Sequence, residues 1–173
     1  RVRNRLRQHG AQYVLAYFDE GSHQDARWGM GAWRLREPYA YLLEAVLREP
    51  GLGLVLKPKV PGTLRQRLGE ATGLLDRALQ TGRCYLYHEG VHHGSVTPAQ
   101  AALSADLAVH GALVAATAAC EAALAGVPTA FLDEDGWISS PLHRLGVGKV
   151  IFNAWARLWR PWRENRAQPG APP

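Results

Sequence analysis

The chain has 173 residues and a mass of 19.0 kDa, with 47% hydrophobic and 20% charged residues. That is one ordinary domain with enough apolar material for a core, which excludes a disordered or fibrous chain. The formal charge of +5 comes from arginines concentrated at the two ends, Arg1 to Arg7 and Arg157 to Arg166, and charge so placed rarely makes a nucleic-acid groove.

No apolar run approaches the roughly 20 residues that span a bilayer, and no charged-then-apolar leader is present, so a soluble, cytoplasmic protein is expected. Met30 is the only methionine, and the chain reads as cut from something longer. Cys84 and Cys120 sit among apolar neighbours with no CxxC pair and no His at zinc-ligand spacing. That suits two reduced thiols and excludes a disulfide scaffold.

Gln12 to Phe18 is a β-rich apolar stretch that ends in the polar turn Asp19-Glu20-Gly21-Ser22, a strand and then a loop. Leu35 to Leu47 carries Tyr39, Leu42, Leu43, Val46 and Leu47 at helical spacing, with Pro38 suited to a first turn. Leu52 to Leu56 is a continuous apolar run bounded by Gly and Lys57-Pro58-Lys59, as in a strand buried on both faces. A helix over about Thr63 to Gln80 follows, then a strand from Cys84 to His88, a short helix from Thr97 to Ser104 and a strand from Asp106 to Val109. Thr117 to Leu124 is an Ala-rich helix closed by Gly126, Val127 to Leu132 is a strand, and Lys149 to Phe152 leads into a last helix through Trp155 and Leu158. This alternation forces mostly parallel pairing and predicts an α/β, three-layer Rossmann-like domain.

In such sheets the residues just after each strand meet the ligand. Here they are Gly21 and Ser22, then Lys57 and Lys59, then His88 with Glu89 and Gly90, then His110 and Gly111, and finally Asp133. A full GxGxxG is absent, which disfavours NAD. His88, His92 and His93 fit no zinc spacing, and no metal is expected from them or from Asp133-Glu134-Asp135. Thr117 opens a helix whose free N–H groups and dipole suit a phosphate, and Glu121 lies one turn further on the same face, where a carboxylate can accept ribose hydroxyls.

Asp106-Leu107, Thr117, Glu121-Ala122, Gly126 and Pro128 resemble the C-terminal, nucleotide-sugar-binding half of GT-B glycosyltransferases, with its strand, loop, Thr-opened helix and E-A-x-x-x-G-x-P return. Lys57-Pro58-Lys59 resembles the corresponding lysine loop of bacterial surface-polysaccharide transferases, including the glycerophosphotransferase-like group. The resemblance spans about Gln12 to Arg163. It implies a donor-binding domain over residues 1–166, with a disordered Pro/Gly/Ala tail over 167–173. The implied nucleotide-sugar contacts are Gly21, Ser22, Lys57, Lys59, His88, His110, Thr117 and Glu121, with Glu121 as the ribose-binding acid and Thr117 on the diphosphate. The nucleotide-sugar is then the donor substrate and no cofactor is required. The family's catalytic base usually comes from an acceptor-binding half that would precede Arg1, so no catalytic residue is assigned, and the chain alone is expected to be inactive or weakly active.

Trp155, Trp159 and Trp162 recur at i, i+4, i+7 between arginines, a pattern that suits either packing on protein, the favoured reading, or a peripheral membrane contact at the inner face. Two other functions fit the same architecture. A sugar-nucleotide epimerase would need its acid and base from the His88 to His93 loop and Asp133. A non-catalytic interaction module would work through the Trp-rich C-terminal helix.

Overall fold

The computed structural model describes residues 1–20, 32–88, 96–114, 116–134 and 136–159. Six strands, β1 (Tyr13–Phe18), β2 (Leu52–Lys57), β3 (Cys84–Leu86), β4 (Leu107–His110), β5 (Thr129–Leu132) and β6 (Ile151–Phe152), pair in the order β3-β2-β1-β4-β5-β6. Every pairing is parallel. This is the strand order of doubly wound Rossmann sheets, and the direction of winding reverses between β1 and β4.

The apolar runs form strands because both of their faces are covered. Leu15 and Tyr17 of β1 point into one core with Leu54 and Leu56 of β2, while Val14, Ala16 and Phe18 point into another, the alternation that a period of two demands. The first core is covered by α2 (Ala32–Arg48), α3 (Leu64–Leu68), α4 (Thr72–Gln80) and a helical turn at residues 155–159. The second is covered by α1 (Val2–Gln8), α5 (Pro98–Ala102) and α6 (Thr117–Leu124). The three layers expected from the alternation are present, and the sheet is wholly parallel.

Several expectations need correction. The helix over Thr63 to Gln80 is broken into α3 and α4 by a 3-10 turn at Gly69–Ala71, where Gly69 takes a positive φ of 56° that interrupts an α-helix. Pro38 lies inside α2 rather than in its first turn, because the helix begins earlier, at Ala32. The third strand stops at Leu86, and Ile151–Phe152 adds a sixth strand ahead of the last helical turn. The sequence marks no element over Arg1 to Arg7; most of that stretch is α1, anchored by the fully buried Leu6. Cys84 is buried as expected, and burial pushes its thiol up to about 12, but Cys120 is exposed on α6.

The Gly126 stop has a specific form. The Gly126 N–H donates to Ala123 O and the Val127 N–H to Ala122 O, while Gly126 sits at φ 81°. This is a Schellman closure, with Val127 and Ala122 in the same apolar cluster. It returns the chain from α6 to β5 in a few residues and so holds the start of α6 over the sheet.

Trp155 and Trp159 are 6% and 3% exposed. Trp155 stacks on Tyr41 at 5.4 Å, and Trp159 meets the same ring edge-on at 6.1 Å. Two of the three tryptophans considered for a membrane surface are therefore core residues, and Trp162 lies outside the described residues, as does the 167–173 tail. Among the described residues, no helix is long and apolar enough to cross a membrane.

Candidate functional site

A cleft of about 450 Å³ opens at the carboxyl ends of β1, β2 and β4, where the winding reverses. It falls within the range of small-molecule sites. Its walls bring together Lys57, Lys59, His110, Thr117 and Glu121, five of the eight residues expected to contact a donor. His88 is not among them: it is exposed beyond the end of β3, the edge strand two places from β1. Gly21 and Ser22 lie outside the described residues.

Each side chain owes its place to a strand or helix end. Lys57 is the last residue of β2, in register with Phe18 at the end of β1, so its half-buried stem leads out of the sheet into the cleft. Burial lowers the pKa of its ammonium, with Asp19 and Glu121 opposing that shift from a distance. Among the described residues this ammonium has no hydrogen bond or ion pair. Lys59 differs, because its Nζ is paired with Glu20. A half-buried cation without a partner is costly and marks a place for an anion.

His110 ends β4 and is 1% exposed. Its Nδ1 lies 2.7 Å from the Ala112 carbonyl and 3.3 Å from the Ala112 N–H; the shorter contact favours the tautomer in which Nδ1 donates and Nε2 is left to accept. Burial lowers its pKa, so the ring is neutral at pH 7. Gly111 follows, and a Cβ there would come within 2.2 Å of the Tyr17 hydroxyl. Only glycine lets β4 leave the sheet so close to that ring.

The first turn of α6 faces the cleft through Thr117 and Ala118, and Glu121 lines it one turn later. The N-cap is Ala116, whose side chain makes no capping hydrogen bond. By contrast, α5 is closed by a capping box: Gln100 N–H donates to Thr97 Oγ1 at 3.2 Å, and Thr97 N–H donates to Gln100 Oε1 at 2.9 Å.

Asp19, which the sequence suggests is part of a polar turn, is 4% exposed on the cleft floor. Its carboxylate accepts the Lys59 N–H and the Tyr39 hydroxyl, the latter at 3.1 Å, and lies 3.9 Å from the Arg67 guanidinium. Burial pushes its pKa up to about 6 against the pull of those partners. A charged residue directly after a buried strand at the point of reversal is the signal that would have found it.

Asp133 and Asp106 have structural partners. Asp133 Oδ1 accepts the Trp137 N–H at 2.9 Å, and Oδ2 lies 3.0 Å from His143 Nε2, so it pins the chain that follows β5. Asp106 stands at the amino end of β4, on the edge of the sheet opposite the cleft, where it accepts the Val14 N–H at 2.9 Å and pairs with Arg3. Of the acid and base candidates that an epimerase would use, Asp133 is thus engaged, His88 is outside the cleft, and His92 and His93 lie outside the described residues. Among the described residues, no group of three or more His, Cys, Asp or Glu could hold a metal.

The assembled site has a cation with no hydrogen bond or ion pair among the described residues, a helix start and a carboxylate one turn further on. It can neutralise a phosphate and accept hydroxyl groups. Comparison with family models, curated proteins and solved structures returns no match for this chain.

Proposed function

We propose that the chain is the donor-binding half of a GT-B type glycosyltransferase of surface-polysaccharide assembly, and that its cleft holds a nucleotide-sugar. The observation that carries this reading is that Lys57, whose ammonium has no hydrogen bond or ion pair among the described residues, lines the same cleft as the first turn of α6 and Glu121. In this reading the diphosphate lies between Lys57 and the N–H groups of Thr117 and Ala118, where point charge and helix dipole act together. Glu121 accepts the ribose hydroxyls, and neutral His110 offers Nε2 to a hydroxyl or N–H of the donor.

Stabilising the diphosphate as a leaving group is the electrostatic part of glycosyl transfer. The base that activates the acceptor is left to the other half of the enzyme, so the chain alone should bind donor and turn it over slowly or not at all. Calorimetric titration against UDP, CMP, CDP, GDP and ADP should show selective binding of one of them. Glu121→Ala should weaken it about 10- to 100-fold, the value of a charge-assisted hydrogen bond, with an unchanged melting curve. Wild-type affinity in that variant would take Glu121 out of the site.

A further inference from the structure

The cleft contains a buried acid that this donor reading does not use. Asp19 is held from every side. Lys59, just past β2, gives it a backbone N–H; Tyr39 of α2 gives it a hydroxyl; Arg67 of α3 sets a guanidinium 3.9 Å away. Tyr39 stays protonated, because burial and the Asp19 carboxylate raise its pKa well above the usual phenol range. Arg67 is fixed in turn by donating to Val60 O at 2.9 Å and Thr63 Oγ1 at 3.1 Å. The remaining charged or titratable neighbours are Glu20, Tyr17, Lys57, His110 and Glu121.

Among the described residues, with the carboxylates charged and His110 neutral, Lys57, Lys59 and Arg67 balance Asp19, Glu20 and Glu121. The described part of the floor then carries no net charge to offset a diphosphate with two negative charges. Protonating Asp19 leaves one net positive charge among them and keeps two contacts: the carbonyl oxygen still accepts from Lys59, and the new hydroxyl can donate to the Tyr39 oxygen, while Arg67 gives up its ionic partner.

We propose that Asp19 is the charge-setting residue of the cleft, and that a diphosphate anion docks beside Lys57 together with one proton from solvent, which settles on the Asp19 carboxyl. The inference rests on the donor-site reading and adds the group that answers the ligand's charge. No covalent bond other than the carboxyl O–H changes. Without the ligand Asp19 already titrates at about 6, and a nearby anion raises that value further, so uptake begins near neutral pH.

The test is calorimetry of the whole chain with the glucose conjugates of UDP, GDP, ADP and dTDP, whose diphosphate diesters do not titrate near neutrality. At pH of about 7, measurement in two buffers of different ionisation enthalpy should give heats that differ in the direction of proton uptake. Affinity should rise about sixfold between pH of about 7.5 and about 5.5, as a one-unit shift in Asp19 requires. Asp19→Asn keeps an acceptor for the Lys59 N–H and a polar neighbour for the Tyr39 hydroxyl but removes the charge that faces Arg67: it should bind at pH 7.5 as tightly as the wild type does at pH 5.5, with the slope gone. His110→Gln should keep the slope, which separates the two titrating groups. Equal heats in both buffers with a flat affinity profile in the wild type, or an unchanged slope in Asp19→Asn, overturns the inference while leaving the donor site standing. Failure of all four conjugates to bind removes the donor reading and this inference with it. If Asp19→Asn does not fold, the two-buffer measurement on the wild type still decides.

Discussion

Asp106→Ala should cost about 3 kcal/mol of stability and leave nucleotide affinity unchanged. Asp106 belongs to the stretch that resembles a glycosyltransferase, yet it sits on the edge of the sheet away from the cleft, between β4 and α1. Its carboxylate accepts the Val14 N–H at 2.9 Å, pairs with Arg3 and lies 4.0 Å from Arg7. Removing it strands a strand N–H and a guanidinium whose Nε already has no partner among the described residues. Charge-assisted hydrogen bonds are worth about 1.5–3 kcal/mol each, and the loss is larger when the partner stays buried. Asp106→Asn, which keeps an acceptor for Val14, should recover about half of the loss. Urea denaturation gives the stability and calorimetry the affinity. A variant that is stable but no longer binds would move Asp106 into the site.

Asp19→Asn should do the opposite and stabilise the protein near neutral pH. Folding raises this carboxyl from its ordinary 3.8 to about 6, chiefly by burial, so between those values the folded state holds more protons than the unfolded one. The associated stability is fully present below pH of about 4 and is lost as pH rises through about 6. A shift of roughly two units corresponds to about 3 kcal/mol, an upper bound because Arg67 loses its charge partner in the variant. The variant should therefore melt higher than the wild type at pH of about 7.5 and equally at pH of about 4. Melting curves at the two values check both the sign and the window. A uniform loss at every pH would mean that the charge of Asp19 holds the loop through Arg67 more strongly than burial opposes it.

What can be read from the chain alone divides along a physical line. Continuous apolar runs such as Leu52 to Leu56 announce strands covered on both faces, and the Gly126 stop after an Ala-rich helix announces a return to the sheet. β6 is two residues long and owes its existence to pairing with β5, and α1 buries only Leu6, so neither leaves a periodic signal. In the site, Lys57, His110 and Glu121 are found by position alone, because strand ends and helix starts converge where the sheet reverses. Asp19 is missed because Asp-Glu-Gly-Ser reads locally as a turn, while its burial depends on Tyr39 and Lys59, 20 and 40 residues away in sequence. His88 is expected and not brought in, because β3 ends early at the edge of the sheet.

If the β1–β4 cleft binds the diphosphate of a nucleotide-sugar through Lys57, the backbone amide resonances of the wild type and of Lys57→Met must respond differently as a nucleotide-sugar is added. Shifts are expected at Asp19, Lys57, Lys59, His110 and the first turn of α6, none at Val14 or Asp106, with their loss in the variant at the same ligand concentration. Shifts at the amino edge of the sheet, or an unaltered response in Lys57→Met, would contradict binding at this cleft through Lys57.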